Sequence, residues 1–408
     1  MNQKRSETSD PDFDIIYKSG YESLVQIYRL QGYIDTEPDS ENKIDRLKRL
    51  VQLYANDATN ISGYKAAINQ LQGMGVNIKI DDDSVAVKEK YNRLTNDLHS
   101  EVLNADSYYQ GMIAQHTILI NRLLSEGRVS DVKHMLLKTA HLVKRQSDEA
   151  NIEFVVAVLK AGYLSSSVAD TTQGVARRYL GLTCPTENSL DMLISGLAAF
   201  ETFEWKRAFL KLSTLSIESL PVSVLKVFSK HDIIKYILIS ALVGATRGDV
   251  HELLFSGLLT EHREENYVID ELAKCLEDLE SCRFKELMLR ADSLRNYFKT
   301  DPLVLVAFDP FRTSLLMRSL TLLVSPIKRM SFNDIAAVFK VNNIEQIMAD
   351  LISRGDLPDH RIDMQNSCIE SNILDEVELA REKIQAAECA AIWQQYSLVF
   401  SKAETSSS

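Results

Sequence analysis

The sequence predicts a mostly α-helical chain, and three observations predict it. Glycine and proline, the residues that break helices and build turns, number only 15 and 8 among 408, below their usual shares of about 7% and 5%. Leu, Ile, Ala, Lys and Glu fill long stretches whose apolar positions recur three and four residues apart, the period of a helix with one buried face. Three segments also repeat one pattern: LLSEGRVSDVKHMLLKTA from Leu123, AAFETFEWKRAFLKLSTL from Ala198 and DLESCRFKELMLRADSL from Asp278. Each ends one helix, turns and begins another.

In chain order, residues 1–13 are polar and predict a disordered tail. Residues 14–100 read as an N-terminal helical segment interrupted at Thr36–Ser40 and at Gly73–Ser84. The part up to residue 72 is expected to form a separate layer, and Asp81–Asp83 to be solvated charge in a turn. Lys43–Arg49 (KIDRLKR) is the densest basic cluster; its apolar residues fall at helical spacing, so it reads as the solvated face of a helix rather than a phosphate site.

Residues 101–300 carry the repeated hairpins. Aligning their turns superposes Val129, Trp205 and Phe284, and three residues later Val132, Ala208 and Leu287. That is the pattern of tetratricopeptide-like (TPR-like) hairpins, in which one side chain plugs the pair and a smaller one lets the helices approach. The turns are 76 and 79 residues apart, two hairpins per period; an irregular helical bundle is the competing reading. Two further breaks are expected, at Leu180–Ser189, with an N-cap at Thr186 or Ser189, and at Lys299–Pro310, an apolar run bracketed by prolines.

Residues 301–372 have the outline of a winged helix. TSLLMRSLTLLVSP supplies a closing helix, and Ser331 with Asp334 three residues on caps the next. Phe332, Ile335, Ala336 and Phe339 form its apolar face; after the turn at VNN, Ile344, Ile347, Met348, Leu351 and Ile352 form the inner face of a second helix that Gly355 ends. Two short strands around Met364–Asn366 would be the wing. Residues 373–402 then predict a C-terminal helix whose Ile373, Val377, Ala380, Ile384, Ala387 and Ala391 make a heptad seam for partner helices, or for its own domain. Residues 403–408 are a polar tail.

A winged helix often reads DNA, but this one is poorly equipped for it. The chain carries 46 basic and 57 acidic residues, a formal charge of −11, whereas nucleic-acid affinity comes largely from neutralised phosphates. The outward face of the second helix offers Asn343, Glu345, Gln346, Asp350 and Ser353, with Glu345 and Asp350 placed to repel phosphate. Nucleic-acid binding is therefore the minor reading and protein docking the major one.

Chemistry is sparse. The eight histidines form no HxH or HExxH pair, His251 in HELL lacks a second histidine, and no P-loop, GxGxxG or GxSxG occurs. No catalytic residue, metal or cofactor is expected, and the chain is read as not an enzyme. Cys184, Cys275, Cys282, Cys368 and Cys389 show no CxxC spacing; Cys275 and Cys282 would share a helical face as buried reduced thiols. The opening MNQKRSETSDPDFD lacks the apolar stretch of a signal peptide. The apolar run IIKYILISALVGA is shorter than the roughly 20 residues that span a bilayer, so a soluble intracellular protein without membrane contact is expected.

Taken with its context, MSFNDIAAVFKVNNIEQIMADLISRGDL, followed by Arg361, Ile362 and Asp363, resembles the PCI domain family, shared by the proteasome lid, the COP-nine signalosome and a translation initiation factor. FRTSLLMRSLTLLVSPIKRM is similar to the segment that precedes it in one branch, represented in the signalosome and in the lid, and Tyr21–Pro38 (YESLVQIYRLQGYIDTEP) favours the signalosome side. YYQGMIAQHTILINRLLSEGRVSDVKHMLLKTA resembles the first helical-repeat pair of both. The resemblance spans about residues 15–400 and is most specific over 311–363; residues 73–105 fit poorly, and LPDHRIDMQNSC lacks the usual glycine turn.

The resemblance implies a TPR-like solenoid, a winged-helix PCI module and a C-terminal oligomerisation helix in a nuclear and cytoplasmic scaffold. Its partners would be other PCI subunits of a multi-subunit complex and, through the complex, cullin-RING ubiquitin ligases. A separate metalloprotease subunit would carry the isopeptidase activity that removes Nedd from cullins. Lateral association through the wing edge would place Asp359, Arg361, Asp363, Cys368 and Glu370 at one interface, and Ile373 to Ala391 in a helical bundle.

Overall fold

The computed structural model describes residues 20–36, 40–57, 59–76, 78, 82–104, 112–139, 148–165, 187–341 and 343–371. The readings for residues 1–13 and 373–408, and for Cys184, Cys389 and His141, fall outside them. The described chain is mostly helical and ends in a small three-stranded antiparallel sheet. It divides into two compact units, residues 1–316 and 317–408.

The first unit begins with α1 (Ser23–Thr36), α2 (Ser40–Asp57) and α3 (Ile61–Gly73). Leu30, Ile34, Leu47, Leu50, Tyr54, Ile68 and Leu71 make their shared core. Asn60 caps α3 by accepting from the Gly63 N–H. In α2 the basic face is only partly solvated: Arg46 is buried, its guanidinium 3.9 Å from the centre of the Tyr33 ring, its apolar stem packed and its planar head stacked on the ring. α4 (Asp82–Asn104) starts earlier than expected, so Asp82 and Asp83 lie in its first turn rather than in a loop.

Next come α5 (Met112–Ser125), α6 (Val129–Thr139), α7 (Asp148–Leu164), α8 (Glu187–Glu201) and α9 (Trp205–Ser213). Ser189 lies inside α8 and is not its cap. After α10 (Val222–Leu225) follow α11 (Lys230–Gly244), α12 (Arg247–Leu254), α13 (Gly257–Arg263), α14 (Tyr267–Glu280) and α15 (Phe284–Leu294).

Three helix pairs, α5/α6, α8/α9 and α14/α15, pack as hairpins and close with one turn. Gly127, Phe203 and Cys282 each sit at positive φ two residues before the second helix. In each, the following N–H donates to a carbonyl five residues back: Arg128 to Leu123, Glu204 to Ala199 and Arg283 to Asp278. This is the Schellman C-cap, which satisfies the last carbonyls of one helix while turning the chain. Val129, Trp205 and Phe284 are thus the first residues of their helices, and Val132, Ala208 and Leu287 are fully buried.

Cys275 is buried within α14, whereas Cys282 is exposed in the turn and not on the same helix face; both are free thiols. One glycine is dictated by a close approach: a Cβ at Gly244 would lie 2.6 Å from Lys206 Cα and from the Trp205 carbonyl carbon. α11 packs on α9 there at a distance only glycine permits.

The expected break at Lys299–Pro310 shrinks to a single 3-10 turn at Tyr297–Thr300; α16 runs unbroken through Pro302–Val324. Pro302 occupies the first helical position, where a missing N–H costs nothing. Pro310 forgoes a bond to the carbonyl of Val306, and Val306 is well exposed, so solvent can serve that oxygen. No helix among the described residues is long and apolar enough to cross a membrane.

The N-terminal layer is not separate. Arg29 of α1 makes a bidentate pair with Asp232 of α11, Nη2–Oδ2 2.8 Å and Nη1–Oδ1 3.1 Å. Tyr21 donates to the same carboxylate at 2.5 Å and lies 2.9 Å from Ser229 Oγ. Lys235 bridges Asp232 (3.1 Å) and Asp301 (2.6 Å), and Tyr236 donates to Asp301 at 2.8 Å. Two cations thus meet two anions in a buried network. Its anions also cap helices: Asp232 forms a capping box with Ser229 at α11, and Asp301 accepts from the Leu303 N–H at α16.

Candidate protein-interaction surface

In the second unit, residues 317–324 of α16 lead to β1 (Arg329–Ser331), α17 (Phe332–Phe339), α18 (Ile344–Ser353), β2 (His360–Asp363) and β3 (Cys368–Ser371). Ser331 caps α17 by accepting from the Asp334 N–H and donating to its carboxylate. Phe332, Ile335 and Phe339 are buried, as are Ile344, Met348 and Leu351 of α18, while Ala336, Ile347 and Ile352 are half-buried. Lys340 and Asn343 adopt left-handed φ to turn the chain between the helices. Gly355 at φ +80° ends α18, with the Asp356 N–H donating to Leu351 O.

β1 has no counterpart in the expected elements, and it changes the geometry of the two strands expected as a wing. The strand order is β1–β3–β2, so β3 is central and pairs with a strand on both sides. Cys368–Glu370 therefore offers no free edge, which corrects its expected place on a docking edge. Cys368 is also buried. Three residues gave too weak an alternation to announce β1. The outer edge of β2 has no strand partner among the described residues, and that edge carries Arg361 and Asp363.

The turn between β2 and β3 does without glycine: the Asp363 carboxylate accepts from the Gln365 and Asn366 N–H groups, and Ser367 takes φ +49°. An Asx turn supplies the bend that glycine usually supplies. The hydrogen bonds from Asn366 hold the Asp363 carboxyl below the usual carboxylate range. Met364 at the tip is exposed.

On one face of the sheet, Arg329, Glu370 and Arg361 stand side by side in register. Glu370 accepts from Arg361 Nη2 at 3.1 Å and pairs with Arg329 Nε at 3.3 Å. Asp359 is exposed just before β2. Four of the five predicted wing residues, Asp359, Arg361, Asp363 and Glu370, are thus accessible around β2 and β3, and Cys368 is not. Ile373, Val377, Ala380, Ile384, Ala387 and Ala391 lie outside the described residues. The outward face of α18 stays acidic and polar: Asn343, Glu345, Gln346 and Ser353 are exposed, and Gln346 donates to Asp350 at 3.3 Å.

Two side-chain clusters among the described residues have donors close enough for a metal ion: Asp363, Cys368 and Glu370, and His231, His262 and Glu265. In the first, Arg329 Nε already sits 3.2 Å from Cys368 Sγ and 3.3 Å from Glu370, so a cation holds the place. The second belongs to the first unit and has no such occupant.

Sequence reading missed the second cluster and the Arg29–Asp232 network. Burial would raise the Asp232 carboxyl, but Arg29 and Lys235 outweigh it and hold it far below the usual range. Burial would lower Lys235; Asp301 and Asp232 raise it instead. Burial pushes Tyr21 and Tyr236 well up, keeping both phenols protonated as donors. The sequence matches no protein-family model and no curated protein.

Proposed function

We propose that this chain is a non-catalytic scaffold of the COP-nine signalosome, its subunit one, supporting removal of Nedd from cullins and so regulating cullin-RING ubiquitin ligases. In this reading the three hairpins are TPR-like repeats of a solenoid, and residues 301–372 are the winged-helix part of a PCI domain. Residues 373–402 form the oligomerisation helix.

The order of parts carries the reading. Hairpins closed by one recurring Schellman turn precede a helix–helix–hairpin unit that overlaps residues 311–363, where the resemblance to the PCI family is most specific. Acidic residues on the outer face of α18 and a β2 edge without a strand partner among the described residues favour protein docking over phosphate contact. A scaffold subunit of the proteasome lid is the rival, on the same resemblance.

Affinity purification of the tagged chain with partner identification tests this. Expected are other PCI subunits and cullin-deneddylating activity in the eluate. Proteasome subunits with ubiquitin-chain proteolysis would transfer the chain to the lid, and salt-dependent DNA retention without protein partners would overturn both readings. Deleting residues 373–408 should release the chain from the complex while circular dichroism stays helical; undiminished co-purification would sink the bundle role.

A further inference from the structure

His231, His262 and Glu265 come together from three places. His231 is the second residue of α11, His262 lies in α13, and Glu265 follows it in the link to α14. One donor atom from each lies within 4.8 Å of the other two. His231 Nε2 is 3.5 Å and His262 Nδ1 3.4 Å from the same Glu265 oxygen, Oε2. These are long for hydrogen bonds, whose N–H···O distances centre near 2.9–3.0 Å. They match the edges of a tetrahedron built on metal–ligand bonds of about 2.0–2.1 Å, which are roughly 3.3–3.4 Å.

A second observation points the same way. His231 Nε2 is shielded from solvent and makes no hydrogen bond, a state that buried polar atoms generally avoid. A cation bridging it to Glu265 would relieve it.

The surroundings are preorganised and electrically quiet. The Ser229–Asp232 capping box fixes the turn that carries His231. Asn266 is buried, accepts from the Val268 and Ile269 N–H groups, and donates its own N–H to His262 O, which fixes the link that carries Glu265. Three neighbouring cations are held by other anions: Arg29 and Lys235 by Asp232 and Asp301, and Arg263 by Asp270 and Glu277, both at 2.6 Å.

We propose that His231, His262 and Glu265 form a binding site for a divalent transition metal, zinc by donor set and spacing, that clasps the start of α11 to the α13–α14 link. Two imidazole nitrogens and one carboxylate oxygen fill three positions and leave the fourth to solvent, since Glu265 is 63% exposed. The site is independent of the assembly role proposed above.

The test is titration of the full chain with zinc chloride by calorimetry and with cobalt chloride by visible absorption, after chelator treatment and dialysis. The wild type should bind one equivalent, with the intense d–d bands of four-coordinate cobalt, and excess zinc should raise its Tm. His262→Asn and Glu265→Gln each should weaken binding at least roughly ten-fold and abolish the Tm shift. Their helical circular dichroism and metal-free Tm should match wild type. Absence of stoichiometric binding, or binding that both variants retain (as at the exposed Cys282 thiol), overturns the site.

Discussion

Two arginine–carboxylate pairs, one in each unit, show how far environment governs the same chemistry. Arg29 and Asp232 are 2% and 4% exposed and meet through two parallel N–H···O bonds. Arg361 and Glu370 are 66% and 20% exposed and meet at nearly the same distance, 3.1 Å. In the first, each charge has lost its water and depends on its partner. In the second, solvent screens the attraction and can replace either partner. The first pair therefore holds a fold together, while the second is free to take part in contacts with another molecule.

Removing one side of the buried pair should have the largest effect. Asp232→Ala strands Arg29, leaves Lys235 with Asp301 alone and removes the α11 capping box. A loss of about 3–5 kcal/mol in urea unfolding is expected; a loss under about 1 kcal/mol would erase the contrast. The same pair sets an acid limit. The Asp232 pKa is depressed in the folded state, so its contribution is complete above the unfolded pKa of about 3.9 and is lost as pH falls from there towards the folded value. Lys235, raised in the folded state, keeps its contribution below the unfolded value of about 10.4 and loses it only as pH rises through the folded pKa. Wild-type stability should therefore drop below roughly pH 4 more steeply than that of Asp232→Asn.

Packing against backbone comes next. Gly244→Ala drives a methyl into the Lys206 and Trp205 main chain, and the atoms it meets cannot rotate away. Separation of α9 from α11 should cost about 1–3 kcal/mol, read by the same denaturation. An unchanged midpoint would mean that the two helices slide apart freely, against the close approach of α9 and α11 at Gly244.

A smaller effect of opposite sign is expected at the hairpin turns. Gly127 takes the left-handed position of one turn at no steric cost, but Cys282 takes it with a side chain, at about 1 kcal/mol or more. Cys282→Gly should raise stability by roughly 0.5–1 kcal/mol, part of the relief being offset by the extra freedom glycine has when unfolded. Destabilisation would show that the exposed thiol makes a contact of its own.

What the sequence announced and what it hid divide along the same line. Ser331 with Asp334, the first residues of the hairpin helices and the inner faces of α17 and α18 were legible because caps and apolar periodicity act within a turn or two of the chain. The pairing of Arg29 with Asp232 spans 203 residues and leaves no local mark. Arg46 reads as a surface cation until Tyr33 is placed beneath it. His262 and Glu265 are three residues apart, a visible H-x-x-E spacing, but nothing local pointed to His231. β1 was hidden for a different reason: a three-residue strand is defined by the neighbour it meets, here β3, rather than by its own composition. Its presence makes β3 central, so that among the described residues β2 keeps an unpaired outer edge and β3 does not.

The smallest change in stability should come from the exposed pair, and there the expected consequence lies elsewhere. Arg361→Glu places a negative charge opposite Glu370, but Arg329 still pairs with Glu370 from the other side. Solvent screens what remains, so unfolding should shift by about 1 kcal/mol or less. If the β2 edge docks a neighbouring subunit, the same reversal should deplete the complex recovered in affinity purification, with free chain accumulating at unchanged Tm. Full co-purification would remove Arg361 from the interface. A large fall in Tm would instead make the exposed pair a second buried-type pair, and the contrast between the two units would not hold.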